Sequence, residues 1–187
     1  MRVDQIKDNL VLTNPDIVRT MTHADCVNYA YHYLCRRCNV CLPEFYSWNE
    51  ELADVIGFDS RHSTLIECKV SRSDFLNDKK KNFRVKPEKG MGDHRYYCCP
   101  KDLIKKEEVP TGWGLLYVFP SGLVRRIKES YFDDSREHDL SDYKDFYSRG
   151  CHPKNKDAEY HVLYYYARRA NYAGVHKTIL KYRGFDK

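Results

Sequence analysis

The chain has 187 residues, with 32 Lys and Arg against 27 Asp and Glu, a formal net charge of +5 and a mean hydropathy of −0.74. A chain of this length can bury a core without disulfides or metal ions, and we expect one domain over residues 1–187 with a core at about 16–128. No stretch approaches the ~18 apolar residues of a membrane span, and Met1–Asn9 lacks the apolar run of an export signal. We therefore expect a cytoplasmic protein without membrane association, whose eight cysteines are free thiols.

The first half of the chain predicts a helix followed by a β-hairpin. In Asp16–Arg37 the apolar residues recur at three- and four-residue steps, which is typical of a helix, and Thr22 is a suitable N-cap for its second part. Leu52–Phe58 and Ser63–Val70 have the short apolar runs of β-strands. The polar residues 59–62 between them favour a turn, so the two strands should pair.

A second helix is predicted directly after the hairpin. Ser71 and Asp74 form a capping-box pattern, and the helix should run through Leu76 to about Lys81. Residues 82–94 contain proline and glycine without apolar periodicity, and they predict a mobile loop.

The second half of the chain predicts further strands and a last helix. Arg95–Cys99 and Trp113–Phe119 are apolar runs followed by proline, and Leu123–Ile127 is a possible edge strand. Residues 129–157 are charged and turn-rich, and we expect an irregular excursion there. A helix at about 158–173 should pack on the sheet. The pattern predicts an α/β fold with a mixed sheet of about five strands flanked by helices.

The positive charge is concentrated in one segment. Between Glu67 and Lys106 twelve basic side chains face six acidic ones, an excess of six that is larger than the net charge of the whole chain. Such a local excess is the electrostatic footprint expected for a polyanion such as DNA. The residues expected to contact the DNA backbone are Arg72, Lys79, Lys80, Lys81, Arg84, Lys86, Lys89 and Arg95.

Three polar residues of the predicted hairpin point to a metal site. Because side chains alternate along a strand, Glu67 and Lys69 share one face, and the hairpin can bring Asp54 beside Glu67. Two adjacent carboxylates repel unless a cation lies between them, and Mg²⁺ (or Mn²⁺) prefers oxygen ligands. The backbone carbonyl of Cys68 is a possible further ligand. An Asp followed by Glu-x-Lys is also common by chance, and a simple ion pair of Glu67 with Lys69 explains the same pattern.

The wider segment is more specific than these three residues. Residues 53–58 and 65–80 resemble the MmcB-like branch of the PD-(D/E)XK nuclease superfamily, which is associated with DNA repair and is also found in phages, and the similarity continues through 96–100 and 112–118. The resemblance implies a restriction-endonuclease-like core, metal binding by Asp54 and Glu67, and a catalytic role for Lys69. Two departures stand out. Ala53 replaces the proline of the motif, and the acid that many members carry on the first helix is not identified; Asp25, Glu50 and Glu51 are candidates, of which Glu50 best matches the facing of Asp54.

These features together predict a metal-dependent DNA endonuclease in repair or phage DNA processing, with Asp54, Glu67 and Lys69 as catalytic residues. The alternative is a nuclease-like DNA-binding module with weak or no cleavage. The sequence leaves open the oligomeric state, including a dimer, and the preferred DNA structure. A zinc-stabilised interaction protein is a third, less favoured hypothesis. It rests on Cys35, Cys38 and Cys41, whose spacing suits zinc, but buried structural thiols explain the same pattern.

Overall fold

The computed structural model describes residues 21–46, 51–78, 80–131 and 150–174. The helices of this part of the chain are α1 (His23–Cys35), α2 (Arg72–Asp78), α3 (Asn82–Val85) and α4 (Lys156–Tyr172). The strands are β1 (Val40–Tyr46), β2 (Leu52–Phe58), β3 (Ser63–Cys68), β4 (His94–Pro100), β5 (Gly114–Val118) and β6 (Val124–Lys128). Short 3₁₀ turns at Pro87–Lys89 and Lys106–Glu108 complete the regular structure of the described residues.

The six strands form one mixed sheet in the order of the sequence, β1-β2-β3-β4-β5-β6. The first three are antiparallel neighbours, β4 and β5 run parallel to β3, and β6 is antiparallel to β5. A parallel pair needs a crossover connection, and α2, α3 and the turn at Pro87–Lys89 lie in the crossover from β3 to β4. The carboxyl ends of β3 and β4 therefore meet the start of α2, where the candidate site lies.

Local signals explain where the first two helices begin. Thr22 accepts a hydrogen bond from the Asp25 N–H, and Asp25 in turn accepts one from the Thr22 N–H, so the predicted cap at Thr22 is a complete capping box. Ser71 Oγ accepts a hydrogen bond from the Asp74 N–H at 3.2 Å. The predicted start of α2 is thus confirmed, although α2 ends at Asp78, before the predicted limit near Lys81.

The core has two layers, one on each face of the sheet. On one face α1 packs its apolar side against β2, β3 and β4, with Cys26, Ala30 and Leu34 fully or almost fully buried. On the other face, Phe75 of α2 and Val162 of α4 are buried in a second apolar cluster. A sheet covered by helices on both faces gives the α/β class that the sequence predicted.

The sheet has six strands where the sequence predicted about five, and the additional strand is β1. β1 was not predicted because its sequence contains Pro43 and overlaps the closely spaced cysteines Cys35, Cys38 and Cys41. Proline cannot donate to a β-ladder and is tolerated on edge strands. β1 is an edge strand of the sheet, which explains both its existence and its weak signal.

The prediction for one connecting segment was wrong. Residues 82–94, predicted as a mobile loop, contain α3 and a 3₁₀ turn, and Met91 is fully buried there. The predicted helix at about 158–173 is confirmed as α4, which packs on the core through Ala158 and Val162, while Tyr160, Leu163 and Tyr166 are exposed. The first part of the predicted helix Asp16–Arg37 and most of the predicted excursion at 129–157 lie outside the described residues.

Candidate functional site

Asp54 and Glu67 lie opposite each other on β2 and β3. The β2–β3 ladder ends at the pair of Val55 and Ile66, and Asp54 and Glu67 are the next residues of the two strands beyond that pair. Asp54 Oδ2 accepts a hydrogen bond from the Cys68 N–H at 2.7 Å, and Glu67 is almost fully buried. Burial first, and then the charge of Glu67, raise the pKa of Asp54 to about 6. The two carboxylates are therefore close enough to repel, as the sequence predicted.

Lys69 directly follows β3, and its side chain lies beside Glu67. Its Nζ lies 3.3 Å from Glu67 Oε2 and 3.2 Å from Asp78 Oδ1, and the side chain is buried. Burial lowers the pKa of Lys69, but Glu67, Asp78 and Asp74 raise it by more, so its pKa is above the ordinary value. Lys69 is therefore an ammonium group with its charge fixed inside the site.

Asp78 and Arg84 complete a buried ionic network around Glu67. Arg84 Nε donates to Asp78 Oδ2 at 2.7 Å, and Arg84 Nη2 lies 3.1 Å from Glu67 Oε1. Although burial raises it, Arg84 and Lys69 hold the pKa of Asp78 well below its ordinary value. The Arg84 guanidinium also lies over the Trp113 ring, 4.6 Å from its centroid. Each charge of this network thus has an opposite charge beside it, as buried ions require.

Glu51 and Tyr97 extend the same network. Glu51 Oε2 accepts the Met91 N–H at 2.7 Å, and its Oε1 lies 3.4 Å from Arg84 Nη1. Burial raises the pKa of Glu51, and Arg84 opposes that effect. Tyr97 donates its hydroxyl to Asp78 Oδ2 at 2.7 Å and stacks on Trp113. Tyr97 is fully buried, so it belongs to the core.

Asp78 was not predicted as a site residue, and Arg84 was predicted only as a contact of the DNA backbone. Asp78 carried a local signal, because it follows Phe75 by three residues and residues three apart share a helix face. Since Phe75 is buried, Asp78 faces the sheet. Arg84 carried none, because its partners Glu51 and Glu67 are distant in sequence.

The site opens to solvent along one rim. His23, the first residue of α1, is partly exposed, and its Nε2 lies 3.3 Å from Asp54 Oδ1. Lys81 is exposed, with Nζ 2.9 Å from Asp78 Oδ1 and 3.8 Å from Glu67 Oε2. Asp74 is exposed as well, 3.9 Å from Lys69 Nζ. A small ion or a phosphate group can approach the two carboxylates from this side.

The oxygen atoms of Asp54 and Glu67 have the chemistry that a hard divalent cation needs. Among the described residues, Glu67 Oε1 is a buried oxygen that accepts no hydrogen bond, although Arg84 is close to it. Among the ion pairs of this site in the described residues, Asp54 Oδ1 takes part in one, with the partly exposed His23. This donor set fits Mg²⁺ or Mn²⁺, with Asp54 and Glu67 as the ligands. In the present arrangement Lys69 and Arg84 also compete for Glu67.

Most of the predicted DNA-contacting residues are exposed lysines and arginines. Lys80, Lys81, Lys86 and Lys89 are exposed, and of these Lys81 contacts Asp78 and Glu67. Arg72 is exposed but forms an ion pair with Glu108, with Nη1 to Oε2 at 2.7 Å. Lys79 lies outside the described residues.

For two arginines the prediction was wrong. Arg95 is buried, and its guanidinium donates to the carbonyls of Gly92, Pro87, Gly90 and Pro153. Burial lowers the pKa of Arg95 to about 10. Arg84 is buried in the network of Glu67. Neither guanidinium is available to a DNA phosphate in this arrangement, because both are already bonded inside the protein.

The candidates for an additional acid have different outcomes. Asp25 is engaged in the cap of α1, whereas Glu51 joins the ionic network through Arg84. Glu50 lies outside the described residues. The role of the Cys68 carbonyl as a ligand stays a prediction.

The cysteines predicted as structural thiols lie at the α1–β1 connection. Cys35 is exposed, Cys38 and Cys41 are half-buried, and Cys41 Sγ lies 3.9 Å from the Cys38 carbonyl oxygen. Close groups of three ligating side chains occur elsewhere in the described part of the chain, at Cys26, Cys68 and Cys98 and at His62, His94 and Cys151. The alternatives of structural thiols and a zinc site at Cys35, Cys38 and Cys41 both stay predictions.

Neither a protein-family model nor a curated protein sequence matches this chain. A similar solved structure is that of SPO1766, a protein of unknown function from Silicibacter pomeroyi. The two chains are 20% identical with a TM-score of 0.51, and the match covers 82% of this chain and 90% of the other. This likeness concerns the fold alone. The class of the protein is thus α/β, with a six-stranded mixed sheet flanked by helices. No helix within the described ranges has the length and apolar character needed to cross a membrane.

Proposed function

We propose that this protein is a metal-dependent DNA nuclease with a restriction-endonuclease-like core of the PD-(D/E)XK type. The observation that carries the proposal is the proximity of Asp54 and Glu67 at the end of the β2–β3 ladder, next to the buried ammonium group of Lys69. The resemblance of residues 53–58 and 65–80 to the MmcB-like branch assigns the metal and catalytic roles to these same three residues. DNA repair and phage DNA processing are the settings that this resemblance suggests.

In this proposal Asp54 and Glu67 hold Mg²⁺ or Mn²⁺. The bound cation would supply an activated water and a positive charge at the phosphate oxygens. Asp54 is suited to ligation because the backbone N–H of Cys68 fixes its Oδ2, while Oδ1 points toward the partly exposed His23. Metal binding would also relieve the repulsion between Asp54 and Glu67.

Lys69 acts in this proposal as a fixed positive charge at the reacting phosphate. A general base must lose its proton near the working pH, but the carboxylates around Lys69 keep its pKa above the ordinary value. This argues for charge stabilisation and against a role as base. Its position is set by Glu67 and Asp78, so little reorganisation is needed when negative charge develops on the phosphate.

The exposed lysines near the rim would bind the DNA backbone. Lys80, Lys81, Lys86 and Lys89 belong to the connection between β3 and β4, which also carries Asp78 of the network. Lysine contacts to phosphate give affinity without sequence specificity. A substrate held in this way would bring its phosphodiester toward the carboxylate pair.

One observation favours the alternative, a nuclease-like DNA-binding module with weak or no cleavage. Both oxygens of Glu67 face cationic side chains, Oε1 toward Arg84 and Oε2 toward Lys69. An ion network that already neutralises Glu67 lowers its affinity for a metal. Cleavage would then require Arg84 or Lys69 to share Glu67 with the cation.

End-labelled single-stranded, duplex and branched DNA, each incubated with Mg²⁺, Mn²⁺ or EDTA, distinguish the two functions. A nuclease cleaves at least one substrate only with metal, and Glu67→Gln and Asp54→Asn abolish the activity while Glu88→Gln, an exposed carboxylate outside the network, retains it. Binding without cleavage under every condition supports the module. Cleavage by either site variant at the parental rate contradicts the assigned site.

A further inference from the structure

Another group of metal-ligating side chains lies at the opposite end of β3 and β4 from Glu67. His62 precedes β3, His94 begins β4, and Cys151 lies on the segment that leads into α4. One ligand atom from each side chain lies within 4.8 Å of the other two. All three residues are half-buried, so an ion from solvent can reach them while the surrounding backbone limits their movement.

Backbone contacts already hold the three segments together. Ser63, next to His62, donates its N–H to Asp93 Oδ2 at 2.8 Å. Asp93 precedes His94, and its carbonyl accepts the His152 N–H at 2.8 Å. His62, His94 and Cys151 are therefore next in sequence to Ser63, Asp93 and His152, which are joined by these hydrogen bonds.

The turn that carries His62 is also fixed. Asp59 Oδ1 accepts the N–H groups of Arg61 and His62, both at 2.7 Å. The rings of His62 and His94 are neighbours, with centroids 5.4 Å apart and planes inclined by 54°. A ligand set on such a supported backbone needs only small side-chain movements to close on an ion.

We propose that His62, His94 and Cys151 bind a transition-metal ion of the zinc class. Two imidazoles and a thiolate suit Zn²⁺ or Co²⁺ and do not suit Mg²⁺. Bond lengths of about 2.0–2.3 Å put the ligands of tetrahedral zinc about 3.4–3.6 Å apart, so the present upper separation of 4.8 Å requires movements on the order of 1 Å. Three protein ligands leave a fourth position for water or another ligand.

Such an ion would connect three parts of the chain that are distant in sequence. It would join the β2–β3 turn, the start of β4 and the segment before α4 at the end of the sheet away from Asp54 and Glu67. The site is independent of the proposed nuclease activity, and its failure would leave that proposal unchanged.

Cobalt titration tests the site directly. The metal-free protein is titrated with Co²⁺, and thiolate ligation gives a charge-transfer absorption in the near ultraviolet, while Zn²⁺ displaces the cobalt. We expect one equivalent per chain. Cys151→Ser should abolish the absorption, and His62→Gln should weaken affinity by more than about 100-fold, because losing a direct ligand costs more than losing a supporting partner. Both residues are half-buried and lie outside the helices and strands, so the fold should survive either change.

Two matched variants identify the thiol. Cys35→Ser removes an exposed thiol outside the group and should leave cobalt binding unchanged. Cys26→Ala removes one member of the buried group of Cys26, Cys68 and Cys98 and should also leave it unchanged. The proposal is overturned when cobalt binds without a charge-transfer absorption, when the absorption survives Cys151→Ser, when it is lost in Cys26→Ala, or when no equivalent binds.

Discussion

Asp54 Oδ2 accepts a hydrogen bond from the backbone N–H of Cys68 at 2.7 Å. Cys68 directly follows Glu67, whose negative charge raises the pKa of Asp54. This bond holds one carboxylate on β2 against the next on β3. The fold thus keeps two acids together at a cost in stability, which is the arrangement expected of a cation-binding site and unfavourable in a purely structural one.

Asp54→Asn should stabilise the metal-free protein at neutral pH. Since the pKa of Asp54 is raised to about 6, the folded state holds its proton more tightly than the unfolded chain, whose value is about 4. Protonation of Asp54 therefore stabilises the folded state at acid pH, and this stabilisation is lost as the pH rises from about 4 to about 6. At about 1.4 kcal/mol per pKa unit, the gain of the variant over the parent should reach at most about 3 kcal/mol.

Urea denaturation of both proteins at about pH 4.5 and about pH 7.5 measures this gain. Asparagine keeps an oxygen that can accept the Cys68 N–H, so the comparison isolates the charge. Addition of Mg²⁺ should stabilise the parent and not the variant. Parallel pH profiles for the two proteins would contradict the raised pKa.

Lys69→Met should impair both stability and cleavage. Methionine is similar in length, but it leaves the buried carboxylates of Glu67 and Asp78 without this cation. Breaking a buried ion pair costs roughly 3–5 kcal/mol, and losing one positive group at the reacting phosphate should slow cleavage by about 100-fold or more. Single-turnover rates at low temperature, with circular dichroism as the folding control, separate these effects. Cleavage of the folded variant at the parental rate would exclude a catalytic role for Lys69.

Arg84→Met should weaken the fold without changing the salt dependence of DNA binding. Arg84 is buried between Asp78, Glu67 and Trp113, so its loss should cost roughly 3–5 kcal/mol. Denaturant midpoints measure the stability, and Arg72→Met, which removes an exposed ion pair with Glu108, should have a much smaller effect. If folded Arg84→Met had a smaller slope of log K for DNA against log salt than the parent, Arg84 would be a phosphate contact.

Replacing Lys80, Lys86 and Lys89 together by alanine should weaken DNA binding similarly for all sequences. All three side chains are exposed. Each lysine that contacts a duplex phosphate releases about 0.9 counterion, so the slope of log K against log salt should fall by about 2.7. Fluorescence anisotropy over a salt series measures the slope. The matched control replaces Lys101, Lys105 and Lys106, exposed lysines of the β4–β5 connection, and an equal loss there would indicate a different DNA surface.

The sequence by itself determined the features that depend on near neighbours. Strand periodicity put Glu67 and Lys69 on one face, and the hairpin pattern brought Asp54 opposite Glu67, because both follow from alternation and from a short turn. The caps at Thr22 and Ser71 were predictable for the same reason, since a cap bonds within three residues.

Tertiary structure alone decided which charges are buried and which residues distant in sequence meet. Arg84 and Arg95 belong to the same basic segment as the exposed Lys86 and Lys89, and composition cannot distinguish a guanidinium bonded inside the protein from one facing solvent. Burial of an ion depends on partners supplied by other elements, such as Asp78 for Arg84. Only the parallel pairing of β3 with β4 and the return of the chain before α4 bring His62, His94 and Cys151 together, because no local rule links residues so far apart in the sequence.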